Sequence, residues 1–366
     1  MRVRRMIGGA AAFKLIAAPG LMCGSRKVDS FQVPASGECY YTGSTVNWYF
    51  SDDGDAAWTP ALRQEVRLGI GEWTKLRREG GVGSNSAGSA IVNPVELSGP
   101  QVGAFKVIRK DGSGSGGTNC TTDTIRIDVA FDDYRLVAAH EIGHAFGLRH
   151  TGSKDQLTTL NGVADLGTQL PLMGLCALPA GIDHWKARSD DQASAWYKAS
   201  GPSVAPDGGF ESFAGMPRVF RVIGSSAVDS AYSYAGDRSM RVPQNSGIQQ
   251  RVRLTNPTGS SLNASVRYKT NAGAGTEFKL MARGVTYSGS NDNCSSGVHY
   301  LNDPTPNSSW SWISSSAFGS PGPTWTAKSL TLSVNLAAQA GVDVHVGVNN
   351  TNAETLWVDS LKVNVG

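Results

Sequence analysis

The chain has 366 residues, a formal net charge of +3 and 17% charged residues. This length allows two domains of ordinary size, and a small positive balance without a long basic block gives nucleic-acid binding no electrostatic support. Beyond the N-terminal segment no run approaches the ~18 apolar residues that a membrane-spanning helix requires, so we expect no membrane span. The 44 glycines favour short strands joined by turns over a helical bundle.

The N-terminus has the order that is typical of a secretory signal peptide. Basic residues come first and an apolar run follows within residues 1–13. We therefore predict a leader at residues 1–27 and a secreted, extracellular protein. An exported protein can hold disulfides, and one is expected among Cys39, Cys120 and Cys176, with its connectivity left open.

The first elements after the leader are a strand and a helix. Residues 40–50 are rich in aromatic and β-branched side chains and predict a strand. Residues 52–55 hold three Asp around a Gly. Their carboxylates are ligands of the type that Ca²⁺ uses, but the EF-hand pattern is absent, so a structural Ca²⁺ lacks support and a solvated turn is favoured. Thr59 then caps an amphipathic helix predicted over residues 60–78.

Two further strands and a second helix follow. Residues 104–109 and 124–130 alternate between apolar and polar side chains, as half-buried strands do. Between them, residues 112–117 consist largely of Gly and Ser and predict a flexible loop. Asp133 stands where it can open the next helix, because its negative charge suits the positive end of the helix dipole.

That helix contains the residues most indicative of chemistry. His140 and His144 are four residues apart, so they share one helix face and can direct two imidazoles at one Zn²⁺. Glu141 is placed to reach a water at the metal without binding the metal itself. Gly147 permits a turn that ends the helix, after which His150 can arrive as a third ligand. Three ligands leave the fourth position for water, as in catalytic zinc sites.

These residues form the motif H-E-x-x-H-x-x-G-x-x-H, and the segment resembles the metzincin zinc metalloproteases, in particular matrixins. The resemblance implies an α+β protease domain that consists of a small twisted sheet, the active-site helix and a C-terminal helix. It also implies one catalytic Zn²⁺ on His140, His144 and His150, with a protein or peptide as substrate.

Further residues extend the resemblance. Met173 looks like the methionine of the Met-turn beneath the zinc ligands in this clan; the alternative is an ordinary core methionine. Leu175 stands where some metzincins place a tyrosine ligand, so no fourth protein ligand is expected. A capping box at residues 189–192 starts a helix that resembles the last helix of matrixins. Thr151 stands where matrixins usually have Ser, which leaves the branch open.

The C-terminal part has the pattern of an all-β domain. Alternating segments bounded by turn residues predict an antiparallel sandwich. The clearest of these segments are residues 248–254, 264–268, 330–334, 342–346 and 356–363. Residues 208–211 and 357–361 look like the ends of jelly-roll carbohydrate-binding modules, and this resemblance implies a glycan or cell-surface ligand.

Three tryptophans of the sandwich, Trp310, Trp312 and Trp325, have two interpretations of equal weight. They either stack on sugar rings or cap the sandwich core.

The sequence thus predicts a zinc metalloprotease domain over residues 28–200, a linker over 201–209 and a jelly-roll sandwich over 210–366. The predicted function is that of a secreted zinc-dependent endopeptidase, in which metal-activated water attacks the peptide bond, Glu141 is the general base and the sandwich targets a substrate or surface. The alternative is a glycan- or cell-wall-binding protein whose metzincin-like domain is an inactive scaffold.

Overall fold

The structure, a computed structural model, describes most of the chain after residue 44. The described residues are 45–83, 88–112, 116–148, 172–173, 186–187, 191–192, 195–196, 203–205, 207–211, 219–255, 257–270, 275–288, 291–293, 298–300, 303–306, 309–320 and 322–366. The predicted leader, His150 and the predicted positions Thr151 and Leu175 lie outside them. Within this part of the chain, no helix is both long and apolar enough to cross a membrane.

The N-terminal part consists of one sheet and two helices. In chain order the elements are β1 Thr45–Phe50, α1 Pro60–Gly71, β2 Asn93–Glu96, β3 Phe105–Arg109, β4 Gly116–Asn119, β5 Thr124–Ile127 and α2 Tyr134–Ala145. The strand order is β2-β1-β3-β5-β4. All neighbouring pairs are parallel except β4–β5, so β4 is an antiparallel strand at the edge of the sheet.

Helix α1 starts as predicted and ends earlier than predicted. Thr59 caps it, and the Thr59 hydroxyl accepts from the amide of Leu62. The helix ends at Gly71 and a 3₁₀ turn, Glu72–Lys75, follows. Leu76, which fits the apolar spacing of the predicted helix, lies beyond the 3₁₀ turn in an extended conformation. It is nevertheless buried, and its carbonyl accepts from the amide of Ile91.

The prediction of a flexible loop over residues 112–117 was wrong at its C-terminal end. Gly116 and Gly117 belong to β4, which pairs with β5. The turn between the two strands is stabilised by Asn119, whose side-chain oxygen accepts from the amides of Thr121 and Thr122. Local propensity indicates a loop here, and the hairpin overrides it.

Helix α2 is buried on nearly all sides. Asp133 caps it as predicted, with its carboxylate 2.8 Å from the amide of Leu136. Every residue of α2 except Arg135 is buried. Trp73 ties α2 to the first helix, because its indole N–H donates to the carbonyl of Ala139 at 2.8 Å. A helix that is enclosed in this way holds its polar side chains away from bulk water.

The C-terminal part is an all-β jelly-roll sandwich, which confirms that part of the predicted fold. Its strands are β6 Arg221–Ile223, β7 Ala227–Asp229, β8 Ser239–Val242, β9 Ser246–Thr255, β10 Ser261–Thr270, β11 Thr276–Ser288, β12 Asn291–Asn293, β13 Val298–Tyr300, β14 Asp303–Pro306, β15 Trp312–Ala317, β16 Gly322–Ser333, β17 Gly341–Asn350 and β18 Leu356–Val365.

Two sheets of the sandwich face each other across an apolar core. One has the order β16-β10-β18-β8-β7; the other has the order β14-β11-β17-β9-β6, with β15 also paired to β11. On β17, Val344 and Val346 point into the core, while Asp343 and His345 alternate with them on the outer face. Four of the five sequence segments that predict strands lie within observed strands, and the fifth, residues 330–334, extends one residue beyond the end of β16.

The segment that its composition predicts to be a linker packs with the sandwich wherever it is described. The amide of Val204 donates to the carbonyl of Val363, and Ala205 belongs to the sandwich core. The amide of Leu361 donates to the carbonyl of Gly208 at 3.0 Å, and a Cβ on Gly208 would lie 1.7 Å from the Leu361 carbonyl oxygen. Glycine is therefore required at Gly208 by a close backbone approach, not by flexibility.

Candidate metal centre and sandwich face

The two helix histidines converge as predicted by their spacing. Nε2 of His140 lies 3.0 Å from Nε2 of His144. Each Nδ1 contacts a backbone carbonyl oxygen, that of Leu172 at 2.7 Å for His140 and that of Leu148 at 2.8 Å for His144. A carbonyl can only accept, so each Nδ1 carries the proton and each Nε2 presents a lone pair. The two lone pairs therefore face a common point.

Burial keeps the imidazole of His140 neutral. Burial first, and the neighbouring His144 second, lower the pKa of His140 to about 3, while the hydrogen bond to Leu172 opposes the shift. Neutral imidazole is the form that binds Zn²⁺.

Glu141 lies beside the histidines in a buried position. Its Oε2 accepts from the hydroxyl of Thr118 at 2.7 Å. Burial raises the pKa of Glu141 to about 7, against the hydrogen bond from Thr118 and the charge of Arg126. A Cβ on Gly116 would lie 2.8 Å from Glu141 Oε1, so the carboxylate is next to the edge strand β4. Thr118 was not singled out in the sequence, because nothing in a Gly-rich segment indicates which hydroxyl meets a carboxylate.

Gly147 ends α2 with φ 95°, a conformation that L-residues with a Cβ rarely adopt. Its amide donates to the carbonyl of His144, and the amide of Leu148 donates to that of Gly143. This turn brings the carbonyl of Leu148 to His144 Nδ1. Arg149 and the predicted third ligand, His150, follow directly and lie outside the described residues.

Met173 packs beneath the histidine helix. It is fully buried, and a Cβ on Gly143 would lie 2.4 Å from its sulfur. The turn that contains it is held by Asp191, whose carboxylate accepts from the amides of Leu172 and Met173 at 2.7 and 2.8 Å. Since the Leu172 carbonyl also contacts His140, Asp191 orients the imidazole of His140 through the turn. The sequence indicated Asp191 only as part of a capping box.

We expect Gly143→Ala to destabilise the fold by about 1–3 kcal/mol, because the new methyl overlaps the sulfur of Met173. Gly71→Ala is the matched control. Gly71 is also helical, a methyl group on it would meet no atom within 4 Å, and the variant should gain about 0.5–1 kcal/mol from lower chain entropy. Urea unfolding of both variants measures the difference. Equal stability of the two would show that Met173 does not pack closely under this helix.

Among the described residues, no three His, Cys, Asp or Glu side chains converge as a metal-ligand set. Two of the three histidines of the predicted zinc set, His140 and His144, lie among the described residues. Cys120 is disulfide-bonded, in line with the expected disulfide, and its partner lies outside the described residues.

The solvated turn favoured for residues 52–55 agrees with their contacts, because Asp53 and Asp55 pair with lysines, at 3.4 and 2.8 Å. Elsewhere, Oε2 of Glu211 is buried without a hydrogen-bond partner, and burial and the nearby Asp237 carboxylate raise the pKa of Glu211 to about 9. Thermal unfolding with and without Ca²⁺ tests whether the chain holds a structural Ca²⁺.

The outer face of one sandwich sheet, strands β6, β9, β17, β11 and β15, is polar and partly aromatic. We call it the sandwich face. Trp310 lies over it, with its ring centroid 5.7 Å from that of His345. The guanidinium groups of Arg283 and Arg251 lie 4.6 and 5.6 Å from the centroid of Trp310. At the other end of the face, near Asn349, a cleft of about 730 Å³ opens.

The three tryptophans thus have different surroundings. Trp310 is half-buried on the sandwich face. Trp312 packs against the sandwich core, which is the capping role. Trp325 lies on β16 in the other sheet, 6.2 Å from the ring of Tyr234.

No protein-family model matches the chain, and no curated protein matches it. Among solved structures it is similar to TmCBM61 in complex with beta-1,4-galactotriose, at 13% identity and a TM-score of 0.27, over 44% of this chain and 96% of that one. It is similar to a family 16 carbohydrate-binding module at 13% identity, TM-score 0.24, over 38% and 84%. It is also similar to a xylan-binding domain from CBM 22 at 16% identity, TM-score 0.24, over 42% and 90%.

At such identities and TM-scores the likeness assigns no function to this chain. These structures are of the kind that the alternative prediction names, glycan-binding proteins. None of the three bears on the predicted peptidase part.

Proposed function

We propose that the chain is a zinc-dependent peptidase with a glycan-binding sandwich. The observation that supports the peptidase is the pair of imidazoles on α2. Two nitrogen lone pairs at 3.0 Å repel each other unless a cation lies between them. Two Zn–N bonds at a tetrahedral angle place their nitrogens about 3.3 Å apart, close to this distance.

The residues present fit Zn²⁺. His140 and His144 would hold it as neutral Nε2 donors, with His150 as the proposed third ligand, and backbone carbonyls fix both described rings. When bound, Zn²⁺ supplies Lewis acidity, which lowers the pKa of water and polarises a peptide carbonyl.

The chain's own groups supply the proton transfer and the alignment. Glu141 would accept a proton from the attacking water and return it to the leaving amine, as a general base and then a general acid. Thr118 orients that carboxylate. The edge strand β4 passes beside Glu141, so an extended peptide that pairs with β4 would run along the carboxylate.

We expect 1,10-phenanthroline, which removes zinc, to stop hydrolysis of casein by the full chain, and added Zn²⁺ to restore it, since metal is required for the proposed reaction. 1,7-Phenanthroline, an isomer whose two nitrogens cannot chelate one metal ion, is the control and should leave the initial rate unchanged. Hydrolysis that persists in 1,10-phenanthroline contradicts the assignment. A zinc-loaded chain that cleaves no peptide supports the alternative of an inactive scaffold.

A second function is proposed for the sandwich, and Trp310 supports it. An aromatic ring on a polar sheet face, with guanidinium donors beside it, provides both a surface for the C–H groups of a sugar and partners for its hydroxyls. The cleft near Asn349 continues this face with Ser, Thr and Asn side chains. We further propose that the protein acts outside the cell, where such ligands occur.

We expect Trp310→Ala to weaken glycan binding by the full chain by about tenfold or more, because a central aromatic anchor is lost. Trp325→Ala on the opposite sheet is the matched control and should bind like the unaltered chain. Affinity electrophoresis in gels that contain polysaccharides of different composition measures both. If Trp325→Ala has the larger effect, the proposed face is wrong.

A further inference from the structure

Arg126 of β5 lies on the sheet face opposite helix α2. A Cβ on Gly116 of β4 would lie 2.4 Å from a methyl group of Val137 and 2.8 Å from Oε1 of Glu141, so Gly116 faces that helix. Successive residues of a strand point to opposite faces, so Gly117 faces away from α2. Arg126 pairs with Gly117 in the register of β4 and β5 and therefore shares its face.

The guanidinium group of Arg126 extends from β5 over the edge strand β4. Its Nη2 lies 3.8 Å from the position that a Cβ on Gly117 would take. Because Gly117 has no side chain, the guanidinium spans the distance of about 4.8 Å between the two strands. Among the described residues, no strand pairs with the outer side of β4. A positive charge thus lies at the free edge of the sheet, where the proposed peptide substrate would pair.

The charge of Arg126 has no partner of opposite sign in contact with it. In the part of the chain that the structure describes, its Nε is buried without a hydrogen-bond partner, and no ion pair to its guanidinium is present. Arg126 as a whole is half-buried, so the exposure that it retains belongs to other atoms of the side chain. Buried polar groups are nearly always hydrogen-bonded, and an exception calls for an explanation. A ligand at the sheet edge would supply the missing partner.

Other arginines of the N-terminal part have their partners within the chain. Arg67 of α1 pairs with Glu96 at 2.7 Å, and Arg135 of α2 pairs with Glu65 at 2.8 Å. Arg126 differs from both in that it lacks such a carboxylate and in that it lies over the strand that passes beside the proposed general base.

We propose that Arg126 selects acidic substrates, because its guanidinium binds the side-chain carboxylate of an Asp or Glu at the peptide residue that pairs with Gly117. The inference rests on the proposed peptidase function and adds the class of substrate. A residue opposite Gly117 on an added strand would share its face, with the two Cβ positions about 4.5–5.5 Å apart. An acidic side chain spans this gap, and a guanidinium can form two parallel hydrogen bonds to a carboxylate.

Gly117 leaves the guanidinium accessible from the side of the peptide. Its φ is not positive, so the backbone does not require glycine at this position. A Cβ there would be in ordinary van der Waals contact with Arg126. A larger side chain would cover the guanidinium. Gly117→Val therefore retains the positive charge and removes access to it.

The test begins with digestion of a peptide library by the zinc-loaded full chain, with the cleavage sites identified by mass spectrometry. We expect Asp and Glu to be enriched at one fixed position relative to the scissile bond. Two peptides that differ only by Glu or Gln at that position are then compared. We expect kcat/KM to favour the Glu peptide by about tenfold or more, as a hydrogen bond to a charged group does. Both peptides are amidated at the C-terminus, which excludes recognition of a terminal carboxylate.

Variants distinguish contact with Arg126 from general charge attraction. Arg126→Gln should abolish the preference, and Arg126→Glu should favour a peptide with Lys at the same position. Gly117→Val should lower the preference although the arginine is present. Arg67→Gln is the matched control. It removes one positive charge near the opposite edge strand, β2, and should leave the preference unchanged. Circular dichroism verifies that all variants are folded.

A loss of rate that does not depend on the substrate overturns the proposal. Burial raises the pKa of Glu141 to about 7, and the charge of Arg126 opposes this rise, so the two side chains also interact directly. If Arg126→Gln lowers kcat/KM for the Glu and Gln peptides by the same factor, Arg126 acts through Glu141 and binds no substrate carboxylate.

Two further outcomes separate this inference from the function on which it rests. If the library is cleaved without enrichment of Asp or Glu, the peptidase proposal stands and the preference for acidic substrates is wrong. If the zinc-loaded chain cleaves no peptide of the library, both are wrong.

Discussion

We expect Glu141→Gln to abolish peptide hydrolysis while the chain still binds zinc. The substitution keeps the size of the side chain and an oxygen that can accept from Thr118, so the local packing survives. It removes the only group next to the histidines that is proposed to accept a proton, and general acid–base catalysis contributes about 10²–10⁴-fold to the rate. The initial rate of casein cleavage and the zinc content of the same sample measure the two effects.

The matched control is Glu96→Gln, the same chemical change at a partly exposed carboxylate that pairs with Arg67. It should leave the rate unchanged. Thr118→Val should have an intermediate effect, because Glu141 keeps its carboxylate and loses the hydroxyl that orients it. If Glu141→Gln cleaves as fast as the unaltered chain, Glu141 is not the base, whatever the metal content.

The sequence predicted the elements of the candidate metal centre well, because the relevant information is local. Asp133 as helix cap and His140 and His144 on one helix face follow from spacings of three and four residues. The left-handed turn at Gly147 follows from the residue type that adopts positive φ most readily.

The support around the centre was not predictable, since it depends on contacts between distant parts of the chain. Trp73 meets the carbonyl of Ala139 across 66 residues, and Thr118 meets Glu141 across 23. Strand β4 begins with two glycines, which have low strand propensity, and forms because β5 pairs with it. Strand β2, absent from the prediction, contains Pro94, which is tolerated because β2 lies at the sheet edge.

In the sandwich, alternation along the chain predicted the strands but not which of them are neighbours. Arg253 and Arg283 are thirty residues apart on β9 and β11, and strand β17 lies between them and brings both to Asp343. A charge pattern read along one strand cannot show this, because each strand contributes only one or two of the cations. The contact of both arginines with Asp343 is therefore a property of the sheet order.

We expect His144→Ala to lower zinc affinity by at least about 100-fold, more than loss of an outer hydrogen-bond partner usually costs a metal site. His150→Ala should have the same effect, and this tests the proposed ligand that lies outside the described residues. His345→Ala is the matched control, since it removes a buried histidine on the sandwich face and should leave one zinc per chain. Zinc is measured by elemental analysis after dialysis, with circular dichroism to verify folding.

A folded His144→Ala chain that retains one zinc would show that the two lone pairs facing each other on α2 are not a metal site, and the peptidase proposal would lose its support. Retention of zinc by His150→Ala alone would leave the helix pair as ligands and move the third ligand elsewhere in the chain.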